Sequence, residues 1–150
     1  MTVQKMSAVF GMAGPRPTMV AGPRRAAVIP ACAGMTGMGA LAATPAEMLA
    51  TYTAQSGGSA SAARGQEFFS SKHGKDWSCS SCHTSNPTSE GKHAATGKLI
   101  SPLAPAANAE RFTDSAKVDK WFKRNCKDVL SRECTAIEKA DVLAYLIGLK

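Results

Sequence analysis

Methionine runs out early in this chain. The last of its seven is Met48, so residues 49–150 have no thioether to offer a metal that prefers soft donors. Strand-like alternation of apolar and polar residues stands out nowhere, which argues against a sheet-based fold. The most apolar stretch, residues 26–42, is short and Gly-rich, too poor for a permanent transmembrane helix. Cysteine is scarce, with five residues and no two close pairs. A structural zinc knuckle wants two such pairs, and Cys126 and Cys134 lie eight apart. No βαβ pattern flanks the one close pair, Cys79 and Cys82, as a thioredoxin-like site would require.

What is there is the run Cys79-Ser80-Ser81-Cys82-His83. Cys-x-x-Cys-His is the attachment pattern of a c-type haem. On one helical turn, cysteines at i and i+3 face the same way and can each form a thioether with one vinyl group of a single haem. The next residue, His83, then lies under the iron and offers an axial imidazole nitrogen.

Thioether attachment of this kind needs an exported chain, and the N-terminus supplies one. Arg24 and Arg25 precede the small, apolar run 26–42, and Ala40-Leu41-Ala42 has the form of a cleavage site. Residues 1–42 therefore read as a secretory signal peptide with an upstream extension, which places the mature protein in the periplasm without stable membrane insertion. Residues 43–150 form the expected haem domain. In them 14 basic residues face 11 acidic ones, a net of +3 against +7 for the whole chain. Much of the basic character thus leaves with the signal, and a nucleic-acid partner is not indicated. Cys32 leaves too, and the haem takes two more cysteines. Cys126 and Cys134 remain as an even pair in an oxidising compartment, where a disulfide is expected.

The rest of the domain reads as helices. Thr44-Pro45-Ala46-Glu47 is a capping box with proline at the first helical position, and Gly57-Gly58 closes that helix. A second helix spans about residues 60–70, with Gly65 at an interior position that suits a close helix crossing. Residues 71–77 and the polar stretch from 84 to about 98 read as loops, and residues 101–105 as extended. Thr113 or Asp114 caps a third helix with Val118, Trp121, Phe122 and Asn125 on one face. Thr135 to Glu138 is another capping box, opening a last helix with the stripe Val142, Tyr145, Leu146, Leu149. The expected architecture is a small all-α domain wrapped round one covalent haem, which supplies apolar core that so short a chain lacks.

The missing methionine now matters. Electron-transfer cytochromes c commonly fill the sixth iron position with Met from the chain after the haem motif, and here none follows it. His93, His73, a lysine, Asn125 or an open site remain. Both histidines read as surface residues. Asn125 sits on an apolar helix face, where a buried amide needs a partner; that partner is either a helix end or the iron, and spacing alone leaves both readings open.

Gly97-Lys98, Pro102-Leu103-Ala104-Pro105, Arg111-Phe112-Thr113-Asp114 and the cysteines eight apart carry a further signal. Together they resemble the SHP-type cytochromes c, high-spin oxygen-binding relatives of the class I cytochromes, and they are also similar to cytochrome c″. The resemblance covers nearly all of residues 43–150. In both groups the distal ligand immediately precedes the first of the paired cysteines, as Asn in the SHP type and His in cytochrome c″. It therefore implies His83 as proximal ligand, Asn125 as distal ligand and a Cys126–Cys134 disulfide. It also implies a class I-like fold, a dihaem cytochrome c as redox partner and a diatomic ligand such as O₂, NO or CO on reduction. The alternatives are a plain electron shuttle with a closed site, or a haem enzyme acting on NO or peroxide. No acid–base pair suggests the last, with only His93 and Lys98 as neighbouring candidates.

Overall fold

The computed structural model describes residues 42–150 together with Gly14. The signal segment expected over residues 1–42 thus lies almost wholly outside the described residues. Among those described, no helix is long and apolar enough to cross a membrane.

The described residues form five helices and one minimal hairpin, in order: α1 (Pro45–Ser56), α2 (Ala62–Ser70), α3 (Ser80–His83), β1 (Gly91–Lys92), β2 (Leu99–Ile100), α4 (Ser115–Leu130) and α5 (Ala136–Gly148). The helix starts follow from their caps. Thr44 accepts from the Glu47 backbone N–H while the Glu47 carboxylate accepts from that of Thr44, and Thr135 and Glu138 repeat the exchange at α5. Asp114 rather than Thr113 caps α4, by accepting from the Lys117 N–H. The hairpin escaped the sequence pattern because each strand is two residues long, too short for any alternation to register; Gly91 pairs with Ile100 and Lys92 with Leu99, antiparallel.

α5 is the spine. Its Ala140 and Leu143 pack with Met48 and Tyr52 of α1 and Val118 of α4. Its Val142, Tyr145 and Leu146 pack with Phe69 of α2. Phe112 and Phe122 touch both clusters and so join them. The α2–α5 crossing is close at Gly65, where a Cβ would run into the Asp141 carbonyl. Asp141 is buried there as a satisfied carboxylate. It accepts from Arg64 Nε and an Arg64 terminal nitrogen, both at 2.8 Å, and from the Ser61 N–H at 2.6 Å.

Two expectations change. Residues 101–105 are not extended throughout, because Ala104 to Ala107 form a turn closed by Ala107 N–H to the Ala104 carbonyl at 3.1 Å. Pro105 takes the second position of that turn, where its fixed φ is an advantage. Trp121 leaves the apolar stripe of α4. Val118 is buried and Phe122 and Asn125 are half-buried, but Trp121 is 46% exposed at the edge of the stripe with the Arg124 guanidinium over its ring.

Candidate functional site

The Cys79–His83 run folds as one helical turn. Cys79 has right-handed helical angles (φ −59°, ψ −40°) and caps α3, and its carbonyl accepts from the N–H groups of Cys82 (3.2 Å) and His83 (3.0 Å). The two serines between the cysteines stabilise the entry. Ser81 Oγ accepts from the buried Ser78 N–H at 2.9 Å, and the hydroxyls of Ser78, Ser80 and Ser81 bond one another. Both thiols are free and lie one turn apart, on one side of the helix.

Gly91 brings the hairpin against this turn. A Cβ there would run into the Cys82 carbonyl, and the neighbouring Ala94 N–H points at Cys82 Sγ at 3.3 Å. From the other side Cys79 packs on the Phe69–Leu146 cluster, and the Phe69 ring stands 6.4 Å from that of His83. The Leu103 and Ala104 N–H groups both donate to the Pro87 carbonyl, which closes the loop that follows α3.

Electrostatics prepare these groups for a metal-bearing cofactor. Burial, and then the positive charge of Arg111, push the His83 imidazolium down to about 4, leaving the neutral ring that coordinates iron. Burial pushes the Cys79 thiol up to about 11, the opposite of the activated thiolate of a thioredoxin-like site. None of the hydrogen bonds among the described residues uses a His83 ring nitrogen, and no three His, Cys, Asp or Glu side chains converge there as a zinc site would need. Trp77, two residues before Cys79, and Trp121, one turn before Asn125, expose large apolar surfaces. Free paired thiols, an unengaged neutral imidazole and uncovered indoles fit a porphyrin.

Sequence reasoning assigned Arg111 no role. The structure does: its Nε donates to the Pro102 carbonyl at 2.8 Å and a terminal nitrogen to that of Ser101 at 2.7 Å. It thereby ties the turn before α4 to the segment that backs the haem motif, and it is the cation that acts on His83. The Arg-Phe-Thr-Asp run was visible as a motif, but the carbonyls it meets are set by tertiary structure. Gly91 was equally hidden, as one glycine in a polar loop.

The distal candidate sits on a different element. Asn125 is half-buried on α4; no buried side-chain polar atom among the described residues lacks a partner, so its amide, which joins none of their hydrogen bonds, is open to solvent. Its neighbour Cys126 is bonded to Cys134 across the α4–α5 connection, with Cα atoms 5.6 Å apart. The two other histidines have local partners instead. His73 stacks on Phe68 at 4.4 Å with Nε2 donating to the Phe68 carbonyl at 2.8 Å, and His93 Nδ1 accepts from the Ala95 and Thr96 N–H groups at 3.3 Å. Neither is the free surface residue its sequence context suggested. A cavity of about 480 Å³ beside α2 and α5, lined by Arg64, His73, Glu138 and Asp141 among others, includes none of the haem-motif residues nor Asn125.

A Cys-x-x-Cys-His turn laid against crossing helices is the site of a c-type cytochrome, and comparisons with known proteins narrow the class. Residues 55–146 match the family described as "Domain of unknown function (DUF1924)". Cytochrome c-type protein SHP of Cereibacter sphaeroides is 49% identical over 107 residues, which cover 69% of this chain and 82% of that one. Cytochrome c″ of Methylophilus methylotrophus is 48% identical over 79 residues, 53% of this chain and 55% of the relative. Oxidised SHP, described as an oxygen binding cytochrome c, superposes with a TM-score of 0.66 at 48% identity over 70% of this chain and 96% of its own. Oxidised cytochrome c″ gives 0.62 at 39% identity over 71% and 94%. The chain belongs to the family of c-type cytochromes that includes SHP and cytochrome c″, all-α proteins with covalent haem c.

Proposed function

We propose that this protein is a periplasmic monohaem cytochrome c that carries electrons and, once reduced, opens its haem to a small diatomic such as O₂, NO or CO. Cys79 and Cys82 would hold the haem by thioethers and His83 would be the proximal ligand. The haem supplies one-electron chemistry and a ligand position at its iron. Asn125 would occupy the distal position in the oxidised protein. A neutral amide oxygen is a hard, weak donor that suits ferric iron better than ferrous, so reduction would release it. The Cys126–Cys134 bond next to it limits how far the released side chain can travel, so the site can close again on oxidation.

The observation that carries this reading is Asn125 itself: half-buried, unbonded among the described residues and adjacent to a bonded cysteine, in a chain with no methionine after Met48. The similarity to a relative described as oxygen binding supports it. The reading includes export through residues 1–42 and a redox partner of the dihaem cytochrome c type. CO addition to the reduced holoprotein tests it: rapid formation of a CO spectrum at neutral pH supports an opening site, and failure to bind CO supports a shuttle with a closed one. An intact mass beginning near Ala43 with one haem attached tests the export.

A further inference from the structure

The charge of residues 43–150 is unevenly placed. α4 carries Lys117, Lys120, Lys123, Arg124 and Lys127 against Asp119 and Asp128, a net of +3. Outside α4 the same residues hold nine basic and nine acidic side chains, a net of zero. The whole excess therefore sits on the helix that carries Asn125.

All five cations are exposed, on the side of α4 opposite the buried Val118, Cys126 and Val129. Among the described residues only Lys123 of the five has a carboxylate partner, Glu133 at 3.2 Å. Asp119 is already engaged elsewhere, accepting from the Tyr52 hydroxyl at 2.6 Å and from Lys139 at 3.4 Å. The arrangement works against the helix. Lys117 with Lys120, Lys120 with Lys123 and Arg124, Lys123 with Lys127, and Arg124 with Lys127 are like-charge neighbours three or four apart, which repel. At the N-terminus the Asp114 cap meets the helix dipole, and Lys117 in the first turn stands against it. Opposite-charge neighbours four apart are fewer, Asp119 with Lys123 and Arg124 with Asp128, so repulsive pairs outnumber attractive ones on this face.

We propose that the exposed face of α4 is the docking surface for an acidic redox protein that would reduce the haem. The proposal rests on the electron-carrier reading above. Charge complementarity singles out a macromolecular anion, and the shape of the surface singles out a protein over a lipid headgroup layer. A membrane-bound helix buries several large apolar residues beside its cations, and α4 exposes only Trp121. Docking here also couples delivery to the ligand, because the same rigid helix bears Asn125 eight residues after Lys117. Steering by a patch of this kind raises the encounter rate and fades with salt.

Stopped-flow reduction of the ferric holoprotein provides the test, with flavodoxin hydroquinone as a small acidic protein donor and photoreduced lumiflavin as a small neutral one. At low salt the Lys120→Glu/Lys127→Glu variant is expected to be reduced by flavodoxin about tenfold more slowly than the parent, with the deficit collapsing at high salt. Lys72→Glu/Lys150→Glu changes the net charge equally but on other exposed positions, and is expected to slow the reaction by no more than about twofold. Equal slowing by the two variants overturns the proposal. So does placement-independent reduction together with Lys120- and Lys127-dependent sedimentation with phosphatidylglycerol vesicles, which would make the face a lipid surface. A haem that lumiflavin does not reduce overturns the electron-carrier reading beneath it instead.

Discussion

The two sides of the haem site are built in opposite ways. The proposed proximal side is one turn of chain: Cys79, Cys82 and His83 fall within five residues, and a single helical backbone aims them together. The proposed distal side is one amide, Asn125, on a helix more than 40 residues away in sequence, held by tertiary packing and the bond at Cys126. The proximal side is pressed from both directions, by Gly91 of the hairpin and by the Phe69 cluster. The proposed distal amide is half-buried and joins no hydrogen bond among the described residues. A group fixed by local covalent geometry is permanent; a group fixed by one weak bond at the end of a packed helix is conditional. The proposed redox-gated site would use one of each.

The sharpest way to break the permanent side is to remove its attachment. Cys79→Ala with Cys82→Ala is expected to abolish covalent haem, read as the loss of one haem from the intact mass. Retention of covalent haem in that variant would refute the assignment. The next effect is at the crossing that backs this side. Gly65→Ala in an open helix interior would stabilise by about 1 kcal/mol. Here the new Cβ meets the Asp141 carbonyl, so a loss of about 3 kcal/mol is expected in denaturant unfolding of the holoprotein. A stabilised Gly65→Ala would show that the crossing is looser than described.

The conditional side offers smaller levers. Replacing Cys126 and Cys134 by serine is expected to cost about 2–3 kcal/mol in the chain-entropy account, and to speed CO uptake by the reduced protein because the Asn125 segment is freed. Unaltered CO kinetics would show that the bond serves stability alone. Smallest is the pair at the start of α5. Hydrogen bonds from Arg132, and then the Thr135 cap, hold the Glu138 carboxyl down at about 2. Its folded value lies below its unfolded one, so its contribution is present above about pH 4.5 and fades as pH falls toward 2. Arg132 is half exposed, so solvent screening keeps the effect to about 1 kcal/mol or less. Comparing Glu138→Gln with the parent in unfolding at pH 3 and pH 7 reads it, and equal differences at both values would contradict it.

Sequence and structure agree where local rules decide. The capping boxes at Thr44 and Thr135 gave the starts of α1 and α5, and Gly65 was legible as a close crossing because a helix interior tolerates glycine poorly without a reason. That Cys79, Cys82 and His83 share one turn was legible from their spacing alone. The rest depended on contacts distant in sequence. The β1–β2 hairpin is too short for a period, Pro105 turns the chain instead of extending it, and Arg111 and Gly91 acquire their roles only from the carbonyls they face. Asn125 as a proposed ligand rests on inventory, through the absence of downstream methionine, and on resemblance.

The claim that Asn125 is a redox-conditional ligand is tested most directly by optical and EPR spectra of the ferric and ferrous holoprotein, parent against Asn125→Ala and Asn125→His. The account predicts that Asn125→Ala leaves the ferric iron five-coordinate or water-bound while its ferrous spectrum matches that of the parent, and that Asn125→His gives low-spin ferric protein, since imidazole is the stronger ligand. A ferric spectrum and CO uptake unchanged by Asn125→Ala would contradict it.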